Sequence, residues 1–183
     1  MAQLIYSVIT SLDGYVVDES GNFDWAAPDE QVHAFVNDRE RAIGTYLYGR
    51  RMYDVMKVWQ DVDDGDEVSR DYAQLWRAAE KVVYSTTLDA VSTPRTSLRP
   101  TFEAEAVRSL VADAERDVSV GGPTLAAAAL HAAIVDEVQV FVHPVVVGGG
   151  TNYLPPGLSV PLRLLDLHRF DGGVVYLRYS VVR

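Results

Sequence analysis

From its first apolar run to its last, the chain alternates β-branched stretches with segments of helical period. This order limits the fold more than any single residue does: strand, helix, strand demands right-handed crossovers and a mainly parallel sheet. Residues 4–10 lack helical spacing, run into the turn signal Asp13-Gly14, and predict a buried central strand. After a loop holding Ser20-Gly21-Asn22, Pro28 with Asp29 and Glu30 gives the proline and acids that suit a helix start. Val32, Phe35, Val36 and Ile43 then predict a helix reaching about Ala42, and a short strand, 45–48, closes at Gly49.

Ser69 is expected to cap a helix whose Tyr72, Leu75, Trp76 and Ala79 fall on one face, with a strand over 81–87 after it. Val107, Leu110, Val111 and Ala114 mark another helix, followed by a strand at 118–120, an alanine-rich helix over 124–134 and a strand over 137–147. Strands at 162–170 and 174–182 flank Asp171-Gly172-Gly173, a hairpin signal. The expected fold is α/β: a mixed, mostly parallel central sheet flanked by helices, with a C-terminal antiparallel hairpin.

A length of 183 residues fits one core and one domain. The absence of cysteine excludes disulfides, thiolate nucleophiles and thiolate metal sites. With neither a leader-like start nor an apolar run of membrane length, the cytoplasm is the expected compartment. A net charge of −10 repels nucleic acid and anionic lipid, so a small-molecule ligand is expected, and any phosphate must be held by a local positive cluster. Asp61, Asp63, Asp64, Asp66 and Glu67 read as a solvated loop, and the four histidines lack metal-ligand spacing, so no metal is expected.

Three places could hold phosphate. Val118 to Leu125 reads as strand, Gly121-Gly122, then a helix start at Pro123, Thr124 and Leu125, where exposed backbone N–H groups favour an anion; a plain tight turn explains the glycines equally well. Gly49-Arg50-Arg51 puts two guanidinium groups after a strand, and Ser85-Thr86 puts hydroxyls at a strand end. Each is weak alone, and the first is neither a Rossmann fingerprint nor a P-loop.

In this order and spacing, with Ser11-Leu12-Asp13-Gly14 ahead of them, these segments resemble the dihydrofolate-reductase-like superfamily. The nearer resemblance is to the C-terminal reductase domain of the bifunctional riboflavin-biosynthesis deaminase-reductase. The resemblance implies NADPH as cofactor, with its diphosphate on Gly121-Gly122 and Gly49-Arg50-Arg51 and its ribose phosphate on Ser85-Thr86. Thr124 and Leu125 would open the helix that faces the pyrophosphate. Trp25 resembles the family tryptophan near the nicotinamide, in the loop after the first strand. The Gly-Gly peptide of the family is characteristically cis.

For the substrate side, Asp13 resembles the riboflavin-type enzymes and Glu30 the acid that folate reductases set against the pterin. Asp13 is the favoured proton source of the two. Two departures stand out: Met52 replaces a phosphate-binding threonine of the folate enzymes, and the deaminase half is absent. The implied activity is a 5-amino-6-(5-phosphoribosylamino)uracil reductase-like hydride transfer in a homodimer. A dihydrofolate or pterin reductase and a non-catalytic dinucleotide-binding homodimer are the alternatives.

Overall fold

The computed structural model describes residues 1–183. In chain order its elements are β1 (Leu4–Ser11), β2 (Tyr15–Val17), α1 (Glu30–Glu40), β3 (Ile43–Gly49), α2 (Arg50–Met56), α3 (Glu67–Ala78), β4 (Glu80–Tyr84) and β5 (Thr96–Arg99). They continue as α4 (Ala104–Asp113), β6 (Asp117–Gly121), α5 (Pro123–His131), β7 (Glu137–His143), β8 (Thr151–Asn152), β9 (Leu162–Arg169) and β10 (Val175–Val181). Eight strands form one sheet in the order β5-β4-β3-β6-β1-β7-β10-β9, while β2 and β8 make a separate two-stranded ribbon. All pairs from β5 to β7 are parallel, and β10 pairs antiparallel with both β7 and β9. The expected mixed sheet with its terminal hairpin is therefore the observed one.

Helices cover both faces. On one, α4 and α5 bury Val107, Leu125, Ala126 and Ala129 against Leu4 and Tyr6 of β1 and Val118 and Val120 of β6. On the other, α2 and α3 bury Tyr53, Tyr72 and Trp76 against Ile5, Tyr46 and Tyr48, and α1 sets Val32 and Phe35 over Phe141 and Tyr176. The period of two along β1 thus feeds opposite cores from one strand. Lys81 is buried, yet its ammonium donates to the carbonyls of Trp76 (3.0 Å) and Ala79 (2.9 Å), closing the carboxyl end of α3 where positive charge is favoured.

Several boundaries differ from expectation for local reasons. Asp66, not Ser69, caps α3: its carboxylate accepts the Ser69 backbone N–H at 2.8 Å. The acidic segment is exposed as expected, with Asp63 paired to Arg77. Strand β7 stops at His143 because Pro144 has no N–H to continue a ladder, and the Leu12 N–H takes the Val145 carbonyl at 2.8 Å instead. Strand β4 stops at Tyr84, where Ser85 Oγ accepts the N–H groups of Thr87 and Leu88 and turns the chain. Ile43 belongs to β3 rather than to α1.

Candidate active site

Strands β1, β3, β4, β6 and β7 all end on one edge of the sheet. Register sets their ends side by side: Gly49 opposite Tyr84, Tyr48 opposite Gly121, and Ser11 opposite His143. From β3 the chain leaves into α2 on the face carrying α1 and α3, whereas from β6 it leaves into α5 on the opposite face. Adjacent strands whose connections part in this way open a crevice at their carboxyl ends, where open α/β sheets bind ligands. Two surface hollows of about 410 and 420 Å³ lie elsewhere, beside the first residues of β1 and the last of β10.

The crevice brings together the residues singled out as phosphate contacts. Gly49 precedes α2, and a Cβ there would meet no atom within 4 Å, so its backbone faces open space. Gly122 is the N-cap of α5 at φ +90°, which suits glycine alone, and no side chain caps that helix; Pro123 takes the first turn. A Cβ on Gly121 would stand 2.8 Å from the Tyr48 ring, and one on Gly122 would stand 3.2 Å from Met52 Cβ. Met52 thus packs under the Gly-Gly turn. No peptide is cis; the sharp turn is made with trans bonds by the positive φ of Gly122, unlike the geometry expected from the resemblance.

Thr124 is exposed, whereas the Leu125 side chain enters the core, so only its backbone is available to the crevice. Arg50 is held: its guanidinium donates to Thr87 Oγ1 at 2.8 Å and lies 3.7 Å from Asp54. Arg51 and Thr86 are exposed, and Arg51 enters no ion pair. The hold of Thr87 on Arg50 and the seat of Met52 were not anticipated.

Beyond β1 and β7 stands a second wall. Asp13 follows the end of β1, and its carboxylate accepts from Ser11 Oγ (2.7 Å), Gly148 N (2.8 Å) and Val147 N (3.2 Å). The Ser11 hydroxyl first, then these two amides, hold the Asp13 carboxyl below its ordinary range despite full exposure. The β2–β8 pairing and the 3.0 Å bond from Tyr153 N to the Gly14 carbonyl lace the same two segments further. Trp25 lies in a short 3-10 turn, Asp24–Ala26, edge-on to His143 with ring centroids 6.4 Å apart. His143 is buried, and burial pushes its imidazole pKa down against the pulls of Asp29 and of a hydrogen bond to the Trp25 backbone. Neither Trp25 Nε1 nor His143 Nε2 finds a partner in the chain. Glu30 opens α1, exposed, next to Asp29, whose carboxylate caps the helix through Val32 N at 2.8 Å.

Two groups of expected residues are therefore assembled, Gly49 to Thr86 with Gly121 to Thr124 on β3, β4 and β6, and Asp13, Trp25 and Glu30 around β1, β7 and α1. No hydrogen bond joins Asp13 to Glu30.

Known proteins resemble the chain in sequence and fold. YyaP of Bacillus subtilis (strain 168), an uncharacterised protein, is 25% identical over 181 residues, covering 97% of this chain and 94% of YyaP. The crystal structure of a putative riboflavin biosynthesis protein from Shewanella sp. PV-4 superposes with a TM-score of 0.77 at 20% identity, covering 99% of each chain. Dihydrofolate reductase from Enterococcus faecalis, complexed with NADP(H), superposes with a TM-score of 0.65 at 13% identity, covering 99% of this chain and 97% of that one. Both likenesses show the dihydrofolate-reductase-like fold. The model of the RibD C-terminal domain matches residues 2–176, and the chain belongs to the RibD C-terminal domain family.

Proposed function

We propose that this chain is an NADPH-dependent reductase that delivers hydride to a polarised C=N or C=O carbon of a small heterocyclic or ribosylamine-like substrate. One observation carries the reading: open glycine backbone at Gly49, the uncapped start of α5 at Gly122, and the unpaired Arg51 guanidinium meet at neighbouring strand ends. Backbone N–H groups at a helix start and a free guanidinium are the donors a dinucleotide diphosphate needs. When bound, NADPH would supply the hydride.

The chain's own residues orient and exclude. The Gly121-Gly122 backbone and the first turn of α5 would hold the diphosphate, with Arg50 fixed by Thr87 and Arg51 free to reach the ribose phosphate beside Thr86. Trp25 would close the nicotinamide end and keep water out. Asp13, already accepting three hydrogen bonds and held ionised, serves the wall between the β1 and β7 loops; this reverses the preference given by the sequence. Glu30, in the first turn of α1, is the acid assigned to proton transfer, directly or through water.

A homodimer is part of the same proposal, on a new footing. The apolar run of β7 is covered on both faces by its own chain, by α5 and by α1. What stays uncovered is β9, an edge strand whose Leu164 and Leu167 are 51% and 57% exposed beside exposed Leu162 and Leu165.

Cofactor binding tests the reading first: titration with NADPH should quench the tryptophan fluorescence saturably, and NADPH oxidation should follow with a ribosylaminopyrimidine or a dihydropterin. A chain that binds neither NADPH nor NADH would sink it.

A further inference from the structure

We infer that the substrate of this cleft bears no phosphate or other anionic group, and that the wall over β1 and β7 selects an uncharged or cationic heterocycle with an apolar part. The inference rests on the reductase reading and narrows its substrate class. Residues 12–30 carry Asp13, Asp18, Glu19, Asp24, Asp29 and Glu30 and no lysine or arginine. Residues 144–161, which lie against them, carry no charged side chain. The two segments form one body through the Asp13 bonds to Val147 and Gly148, the Leu12 to Val145 bond, the β2–β8 ribbon and the seat of Glu19 against Gly149.

The cations of this edge stand elsewhere. Arg50 and Arg51 open α2 across the crevice, and Arg50 is tied to Thr87 and Asp54. Arg99 ends β5 at the far side of the sheet, and Arg169 ends β9, two strands beyond β7. A phosphate on the substrate would find no guanidinium or ammonium on this wall and would face its carboxylates.

What the wall does offer is neutral. Leu12 and Val146, neighbours through the Leu12 to Val145 bond, are 66% and 67% exposed, and Phe23 is 43% exposed. Large apolar side chains left open at a rim mark contact with an apolar ligand surface. In the turn before α1 and at the end of β7, the Trp25 indole N–H and His143 Nε2 are buried without partners. Buried polar atoms left unmatched are costly, and this pair, an indole N–H and an imidazole nitrogen, fits the donor and acceptor edge of a heterocycle.

Two pairs of probes share a reacting group and differ in negative charge: 5-amino-6-ribosylaminouracil against its 5′-phosphate, and dihydrobiopterin against dihydrofolate. Each is titrated calorimetrically into the full chain saturated with NADP⁺, at low and high salt. The uncharged member of at least one pair should bind about tenfold or more tightly than its anionic partner, the gap narrowing with salt. The double variant Glu19→Gln/Asp24→Asn should narrow it too, while leaving NADPH affinity unchanged. Equal behaviour of the two members in both pairs, including no binding by either, overturns the inference, as does preference for an anionic member in either pair. Loss of the reductase reading is seen separately, as failure to bind NADPH before any substrate is added.

Discussion

Asp13 Oδ2 accepts the backbone N–H of Gly148 at 2.8 Å, joining residues 135 apart in sequence and fastening the turn after β1 to the loop after β7. Asp13→Ala should therefore lower the melting temperature and raise the KM for substrate, with Asp13→Asn, which keeps one acceptor oxygen, milder on both. Glu30→Gln should instead leave the melting temperature unchanged and reduce kcat by roughly two to four powers of ten. If Asp13→Asn loses that much rate at saturating substrate, the proton belongs to Asp13 after all.

Arg51, exposed at the start of α2, enters no ion pair, and only NADPH carries the additional ribose phosphate it could hold. NADPH should bind more tightly than NADH, and Arg51→Ala should remove most of the difference, about tenfold to a hundredfold, in keeping with a charge-assisted hydrogen bond of about 1.5–3 kcal/mol. Fluorescence titrations of both cofactors with both proteins check this. Equal dissociation constants in the wild type would remove the assignment.

The two glycines after β6 should fail differently. Gly121→Ala would drive a methyl into the Tyr48 ring, an overpacking cost of about 1–3 kcal/mol visible in urea denaturation. Gly122→Val would meet both a positive φ and Met52, and should abolish NADPH binding at temperatures where the variant is still folded by circular dichroism. Normal NADPH affinity in the Gly122 variant would reduce the turn to a structural role.

Glu40 is buried with its carboxylate on the Tyr46 hydroxyl at 2.7 Å, and burial pushes its pKa up to about 7, the hydroxyl opposing. A folded-state pKa above the unfolded one favours folding below the unfolded value and loses that contribution as pH rises through the folded one. Unfolding free energy should fall by about 3 kcal/mol between pH 4.5 and pH 7.5 on account of this group. In Glu40→Gln, which keeps the acceptor, the fall should vanish. Parallel pH profiles for the two proteins would show that Glu40 titrates normally.

Sedimentation at micromolar concentration should find a dimer that Leu164→Glu/Leu167→Glu converts to a folded monomer. A wild-type monomer, or a variant that stays dimeric, would place the contact elsewhere or remove it.

The fold was legible where local chemistry and long-range pairing agree. The alternation of strand and helix, the Gly-Gly turn into α5 and the Asp171 hairpin all carry their own turn or periodicity signal. Strand β5 does not: Thr96-Ser97-Leu98-Arg99 is half exposed and polar, and is a strand only because β4 offers it an edge. The β2–β8 ribbon joins segments that have no mark of each other. For the site, the strand-end glycines and arginines were readable as a group. The work of Asp13 was not, because two of its three donors lie more than 130 residues away. Nor was the unpaired Nε2 of His143, which depends on how Trp25 folds back over β7.

The central position of β1 has a consequence for biosynthesis. It is the first strand of this sheet to be synthesised, yet its two neighbours are β6, paired at Val118–Val120, and β7, paired at Glu137–His143. Until those strands are made its apolar residues and both backbone edges stay unpaired, so the closing contacts of the sheet are among the longest-range in the chain. Such topology folds slowly and leaves the nascent segment exposed to association, giving a trigger-type holdase that shields residues 4–11 its largest effect on yield before residue 143 emerges.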